Sequence, residues 1–359
     1  MSNTVTLSAS RIKTYKSCSW IYWLKYIQKA PDSDNDGSRR GSICHLVLEC
    51  LGNPRHKKRH YKKLLKDGVK NDTSIHRLIV KWAKRLELDL DKYVPIISKN
   101  LVKGKDLISH HVDGEDISNL GLVYHMIDEG LNYDFYGTAI GEPSESHDEI
   151  KFTLKKEGYN AVGFIDKLFI YKKEGTALIR DFKTSKSSLK GEDLYDNIQA
   201  LMYALAVRDL YPESFRDKIL VEFVFLRLTG RKGDVVRFEV GNNELDGFEE
   251  YLKEIQSNLE NFSLADAKSG LAAHKGWPSD GSFSGKMLCG RAKSKGEKKL
   301  NGEPMWHCPY KFDFDYYSLV DKTGKIISSS LDFEDLCDHP DFLDCTIKHK
   351  VYDGCPAHN

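Results

Sequence analysis

A chain of 359 residues, 40% of them hydrophobic, can bury one large core or two smaller ones. Its 54 Lys and Arg against 53 Asp and Glu exclude a uniformly basic protein whose net charge alone would announce a polyanionic partner. No apolar run of about 18 residues and no signal-peptide pattern occurs, so a soluble cytoplasmic protein without a membrane partner is expected, its eight cysteines serving as thiols or metal ligands rather than disulfides.

Charge is instead concentrated locally. Arg55–Lys70 carries eight basic residues and one acid, Lys286–Lys299 six and one, and Leu331–Cys345 six acids without Lys or Arg. A basic run is either a solvated helix face or a track for phosphates. Along the chain, Ser8 is a good N-cap for a helix carrying Ile12 and Tyr15, and Trp20–Ile27 continues as an aromatic-rich core helix. Pro31–Arg40 is polar and reads as a loop. The helix that follows Gly41 places His45 and Glu49, four apart, on one face. Residues 51–141 read as a helical insertion with helices at Ile75–Leu88 and Ser118–Asn132. Glu142–Glu149 reads as a loop entering a strand at Ile150–Leu154, with Glu149 either an acidic ligand or the solvated start of that strand.

Ala161–Tyr171 and Thr176–Phe182 are apolar runs joined by the turn Lys172–Gly175, the pattern of a hairpin in a buried sheet. Each run carries an acid among apolar neighbours, Asp166 in the first and Asp181 in the second. A buried carboxylate needs a counter-charge. Alternation puts Asp181 and Lys183 on one face and Phe182 on the other, so two acids and an amine can converge as in a divalent-metal site; the other reading is a buried Asp–Lys ion pair. Thr184–Lys190 is a hydroxyl-rich turn suited to phosphate contacts. A helix over Asp193–Leu210 carries Gln199 and Tyr203 on one face, and strands at Lys218–Thr229 and Asp234–Val240 and a helix at Asn243–Asn261 follow.

Four motifs occur in a fixed order: Gly41-x3-His45-x3-Glu49, Gly163-x2-Asp166, Asp181-x-Lys183-Thr184 and Gln199-x3-Tyr203. In this the chain resembles the RecB-like branch of the PD-(D/E)XK nuclease superfamily, of the iron–sulfur-containing exonuclease type, from about Leu7 to about Tyr310. The resemblance implies an α/β, restriction-endonuclease-like fold: a mixed central sheet flanked by helices, with a helical insertion and a cysteine-containing C-terminal region. The corresponding segments are N-terminal core helices over 1–50, the insertion over 51–141, the catalytic core over 142–265 and the cysteine region over 266–359. It further implies that Asp166, Asp181 and His45, with the carbonyl of Phe182, hold Mg2+ or Mn2+, that Lys183 orients or deprotonates the attacking water, and that Gln199 and Tyr203 position the DNA backbone.

Cys18 lies in a Ser8-x-Ser10-x4-Tyr15-x2-Cys18 setting similar to that of a cluster-binding cysteine in these nucleases, with Ser19 where they carry proline. Trp277-Pro278, Cys289, Trp306 and Cys308-Pro309-Tyr310 resemble their cluster-binding tail, although Cys289 and Cys308 are 19 apart. Cys18, Cys289 and Cys308 are therefore candidate ligands of a [4Fe–4S] cluster, a zinc site and plain thiols being the alternatives. Spacing does not select a fourth ligand among Cys337, Cys345, Cys355 and His307. The functional expectation is a metal-dependent DNA exonuclease of recombination, repair or replication. Its rivals are a structure-specific endonuclease and a non-catalytic DNA-binding or iron–sulfur scaffold. The sequence holds no Gly-x4-Gly-Lys-Ser/Thr loop, so any helicase or recombination motor is expected as a separate partner.

Overall fold

Ser8 accepts a hydrogen bond from the Arg11 amide and starts α1 (Ala9–Ser17), and the extended backbone of Cys18 separates it from α2 (Ser19–Tyr22). The aromatic stretch then continues as a π-helical turn over Trp23–Ile27. This is a computed structural model that describes residues 5–32, 35–52, 58–95, 116–185, 197–212, 218–228, 234–274, 288–300 and 304–358. The side chain of Asn35 accepts from the amides of Gly37 and Ser38. That cap lets α3 (Asp36–Gly52) begin within the polar stretch that reads as a loop in the sequence. α4 (Lys58–Asp67), α5 (Thr73–Arg85), the short antiparallel pair β1 (Tyr93–Pro95) and β2 (Asp116–Ser118), and α6 (Asn119–Asn132) follow.

β3 (Glu145–Lys156), β4 (Tyr159–Tyr171), β5 (Thr176–Lys183), β6 (Lys218–Phe225) and β7 (Val235–Gly241) form the central layer, with α7 (Ile198–Leu210) between β5 and β6 in the chain and α8 (Asn242–Glu260) after β7. The sheet order is β3-β4-β5-β6-β7, with β5 and β6 parallel and every other pair antiparallel. The mixed sheet flanked by helices is therefore observed. β3 starts five residues before the Ile150 expected from sequence because it is an edge strand, where polar outward residues such as Glu145 and His147 cost nothing. β6 ends at Phe225, four residues early, in a turn closed by the Leu228 amide on the Phe225 carbonyl.

The chain divides into two compact units, Asp34–Lys253 and the paired segments Met1–Ser33 and Glu254–Asn359. In the first, Ile43, Val47 and Leu51 recur every four residues on α3 and pack with Ile75 and Ile79 of α5 and Leu122 and Met126 of α6; Phe182 and Val224 enter this core from the sheet. Within 51–141, α5 and α6 thus supply helices that pack in this unit. In the second unit, α9 (Leu264–Ser269), β8 (Phe314–Val320), β9 (Ile326–Ser330), α10 (Phe333–Cys337) and β10 (Thr346–Tyr352) follow α8, and the strands form an antiparallel sheet in the order β10-β8-β9. Trp20 donates to the Tyr352 hydroxyl, which donates to the Tyr310 carbonyl, each at 2.8 Å. Among the described residues no helix is long and apolar enough to cross a membrane.

Candidate active site

The β4–β5 ladder ends at the pair Lys167–Arg180. One step further, on the other face, Asp166 and Asp181 face each other across the parting strands. Asp166 Oδ2 accepts the Phe182 amide at 2.8 Å, in place of a ladder carbonyl. His45 Nδ1 lies 3.3 Å from the same oxygen, so the helix histidine and the strand acid meet.

Asp181, 2% exposed, is the centre of a closed polar ring. Lys183 Nζ lies 2.7 Å from its Oδ2 and donates to Gln199 Oε1 at 2.8 Å, and Gln199 Nε2 donates to Asp181 Oδ1 at 2.7 Å and to the Tyr203 hydroxyl at 2.8 Å. Because an ammonium only donates, it fixes which end of the Gln199 amide faces it, and the amide nitrogen is left for Asp181 and Tyr203. Tyr203 sets its ring edge-on to Phe152 of β3 at 6.0 Å, which anchors the far end of the ring. Phe182 sends its side chain into the helical core and its amide to Asp166.

Two motif glycines owe their identity to close approach. A Cβ on Gly163 would lie 2.5 Å from the Phe152 ring, and one on Gly41 2.9 Å from Thr184 Oγ1. The second lets α3 reach the end of β5 and so delivers His45 to Asp166. Thr184 is thus placed beside α3, while 186–190 of the hydroxyl-rich turn and Trp277-Pro278 lie outside the described residues.

Glu149 belongs to the same cluster. The β3–β4 register passes from Asp148–Lys167 to Ile150–Ile165, leaving Glu149 across from Asp166 without a ladder pairing. Its backbone is left-handed, φ 48°, a conformation that a side chain rarely adopts unless its surroundings impose it. Partial desolvation and then the charges of Asp166 and Glu49 push its carboxyl up to about 7. Burial and Asp166 push Asp181 up to about 6 against the pull of Lys183. Burial opposes the His45 imidazolium, but the hydrogen bond and charge of Asp166, with Asp181 and Glu149, outweigh it and raise His45 to about 8. These shifts share a cause: more negative charge is gathered here than the protein's own cations neutralise. A cation would answer it, and two carboxylates, an imidazole and a third acid are suitable donors for one. Among the described residues no three His, Cys, Asp or Glu side chains already stand as a metal cage. Asp166 Oδ2 is engaged by His45 and Phe182, and Asp181 by Lys183 and Gln199.

The cysteines are gathered in the other unit. Cys18, Cys289 and Cys308 line one apolar pocket with Cys355 and His358. The Cys308 amide donates to the Cys289 carbonyl at 3.1 Å, the Cys355 amide to the Lys311 carbonyl at 3.2 Å, and the Ala272 amide to Cys18 Sγ at 3.4 Å. Burial, and the neighbouring thiols after it, push Cys308 up to about 12, and burial likewise raises Cys289 and Cys355. Of the cysteines between which spacing does not choose, Cys355 lies in this pocket. Cys337 donates instead to the Phe333 carbonyl, one turn back in α10.

The family model of the PD-(D/E)XK nuclease superfamily matches residues 6–274. The chain is similar to a subunit of the ATP-dependent helicase/deoxyribonuclease of Carboxydothermus hydrogenoformans, 25% identical over 222 residues, which cover 57% of this chain and 18% of that relative. The chain therefore spans less than a fifth of that relative's length. A crystal structure described as a "Putative exonuclease" from Eubacterium rectale is similar with 12% identity and a TM-score of 0.41, covering 72% of this chain and 82% of that one. The motif order, the sheet that carries it and the family match lead to one conclusion: this chain belongs to the PD-(D/E)XK nuclease superfamily.

Proposed function

We propose that the protein is a divalent-metal-dependent deoxyribonuclease that degrades DNA from free ends, in recombination, repair or replication. The observation that carries this reading is the Asp181–Lys183–Gln199 ring closed beside Asp166 and His45. Mg2+ or Mn2+ would be held by Asp166, Asp181 and His45 with the Phe182 carbonyl, and when bound would offset the charge growing on the phosphate and acidify water. Lys183 has three donors, of which Asp181 and Gln199 take two; the third orients the attacking water. Tyr203 accepts from Gln199 and keeps its own proton for a phosphate oxygen. The exposed Lys62, Lys63 and Lys66 of α4 are suited to further phosphate contacts.

Cys18, Cys289, Cys308 and Cys355 are read as the ligands of a [4Fe–4S] cluster: four buried thiols from distant parts of the chain in an apolar pocket suit that group. The relative's name joins helicase and deoxyribonuclease, which supports a separate helicase as partner. The test is to incubate anaerobically purified protein and Mn2+ or Mg2+ with end-labelled single- and double-stranded DNA and with a covalently closed circle. Release of short products from ends, with the circle intact, is expected. A cut circle would establish the endonuclease, and no cleavage of any substrate would overturn the reading.

A further inference from the structure

On the reverse face of the same sheet a row of charged side chains crosses all five strands. Asp148 stands opposite Lys167, Lys167 opposite Arg180, Arg180 beside Glu222, and Glu222 opposite Arg237. Lys167 pairs with Asp148, Arg180 Nε with Glu222 Oε2 at 2.8 Å, and Arg237 with Glu222. Lys167, Arg180 and Glu222 are at most 1% exposed. Two cations, Lys167 and Arg180, face each other directly, an arrangement that costs stability. A buried ionic row is no better for stability than a well-packed apolar one, so its place in the fold calls for another role.

That place is the last rung before the site. Asp148 precedes Glu149, Lys167 follows Asp166 and Arg180 precedes Asp181. Beyond Lys167–Arg180 the β4–β5 ladder stops, and the β3–β4 ladder skips Glu149–Asp166. Whatever fixes this rung therefore fixes how far apart the two acids stand. Asp148 reaches one element more: a Cβ on Gly52, in the last turn of α3, would lie 2.1 Å from its Oδ1. α3 carries His45, so the same carboxylate touches both the helix of the imidazole and the Lys167 that neighbours Asp166.

We propose that Asp148 and Lys167 are positioning residues that set the spacing of His45, Asp166 and Asp181 from behind the sheet. This rests on the nuclease reading above. The decisive variant is the double substitution Asp148→Asn with Lys167→Met, which exchanges the ion pair for an uncharged pair of similar volume and leaves no charge stranded. Its thermal midpoint and circular dichroism are expected to match the wild type. Mn2+ affinity, measured by calorimetry without DNA, and kcat are expected to fall roughly 10- to 100-fold while KM for DNA stays within about twofold. Lys167→Arg alone, which keeps the pair, is expected to retain both.

A folded double variant with wild-type Mn2+ affinity and kcat overturns the positioning role alone. A wild-type protein that neither binds Mn2+ nor cuts DNA overturns the nuclease reading, and the role falls with it. Should the double variant not fold, Gly52→Ala displaces the Asp148 carboxylate without changing any charge; the same selective loss in kcat and Mn2+ affinity is expected, and its absence overturns the proposal.

Discussion

The two polar centres of this molecule are assembled in opposite ways. In the unit Asp34–Lys253, the acids and the lysine come from two consecutive strands, and a helix on either side of them in sequence supplies His45 and Gln199. In the other unit, the thiols come from residue 18 and from residues 289, 308 and 355, with sheet and helix in between. The first centre holds unbalanced negative charge; the second holds buried cysteines in an apolar pocket. A hairpin site is written in short spacings, because alternation along a strand and the helical turn decide which groups share a face. A pocket built from distant segments is written in the tertiary fold, where spacing carries no information.

The largest effects should fall on the first centre. Asp181→Ala or Lys183→Ala is expected to lower DNA cleavage on the order of 1,000-fold or more, with the circular dichroism unchanged; substantial metal-dependent activity in either folded variant would show that the ring is structural. For the second centre, Cys355→Ser and Cys18→Ser should each lose the iron and the broad visible absorbance of anaerobically purified protein, whereas Cys337→Ser and Cys345→Ser keep both. Equal iron in all four variants would dissolve the contrast between the centres. Next comes Gln199→Leu, which strands the Lys183 and Asp181 bonds: a fall in kcat of roughly 10- to 100-fold is expected, read against an unchanged Mn2+ affinity.

Gly163→Ala, whose Cβ would meet the Phe152 ring, should destabilise the fold by about 1–3 kcal/mol in chemical denaturation. The smallest effect concerns Glu149. Its folded carboxyl titrates near 7 against an ordinary 4.5, so its ionisation costs stability once the pH rises through the folded value. Metal-free Glu149→Gln is therefore expected to melt about 1–3 °C above the wild type at pH 8, a modest gain because the side chain is exposed, and the gap should close as the pH falls below about 5. A gap independent of pH would remove Glu149 from the cluster.

Much of the first centre is legible in the chain. Motif order alone names Asp166, Asp181, Lys183, His45, Gln199 and Tyr203, and the structure brings them together. The hairpin, α6 and α8 can be read within a few residues for a related reason: their apolar periods are long and unbroken. What escapes the sequence are features that depend on a neighbour. The start of α3 hangs on the Asn35 side chain, β3 extends early because it is an edge, and the left-handed backbone of Glu149 falls where the β3–β4 ladder lapses. Cys355 lies beyond any spacing that ties it to Cys308, because the meander β8–β9 and the strand β10 lie between them.

That meander has a consequence for how the molecule is made. Cys18, Cys289 and Cys308 are all synthesised before β10, and Cys355 arrives directly after β10, the strand that pairs with β8 along its full length. Three walls of the pocket can therefore gather on a nascent chain, but the fourth waits for translation to pass the final strand. Closure of the pocket by Cys355 therefore comes after every strand of the five-stranded sheet has been synthesised.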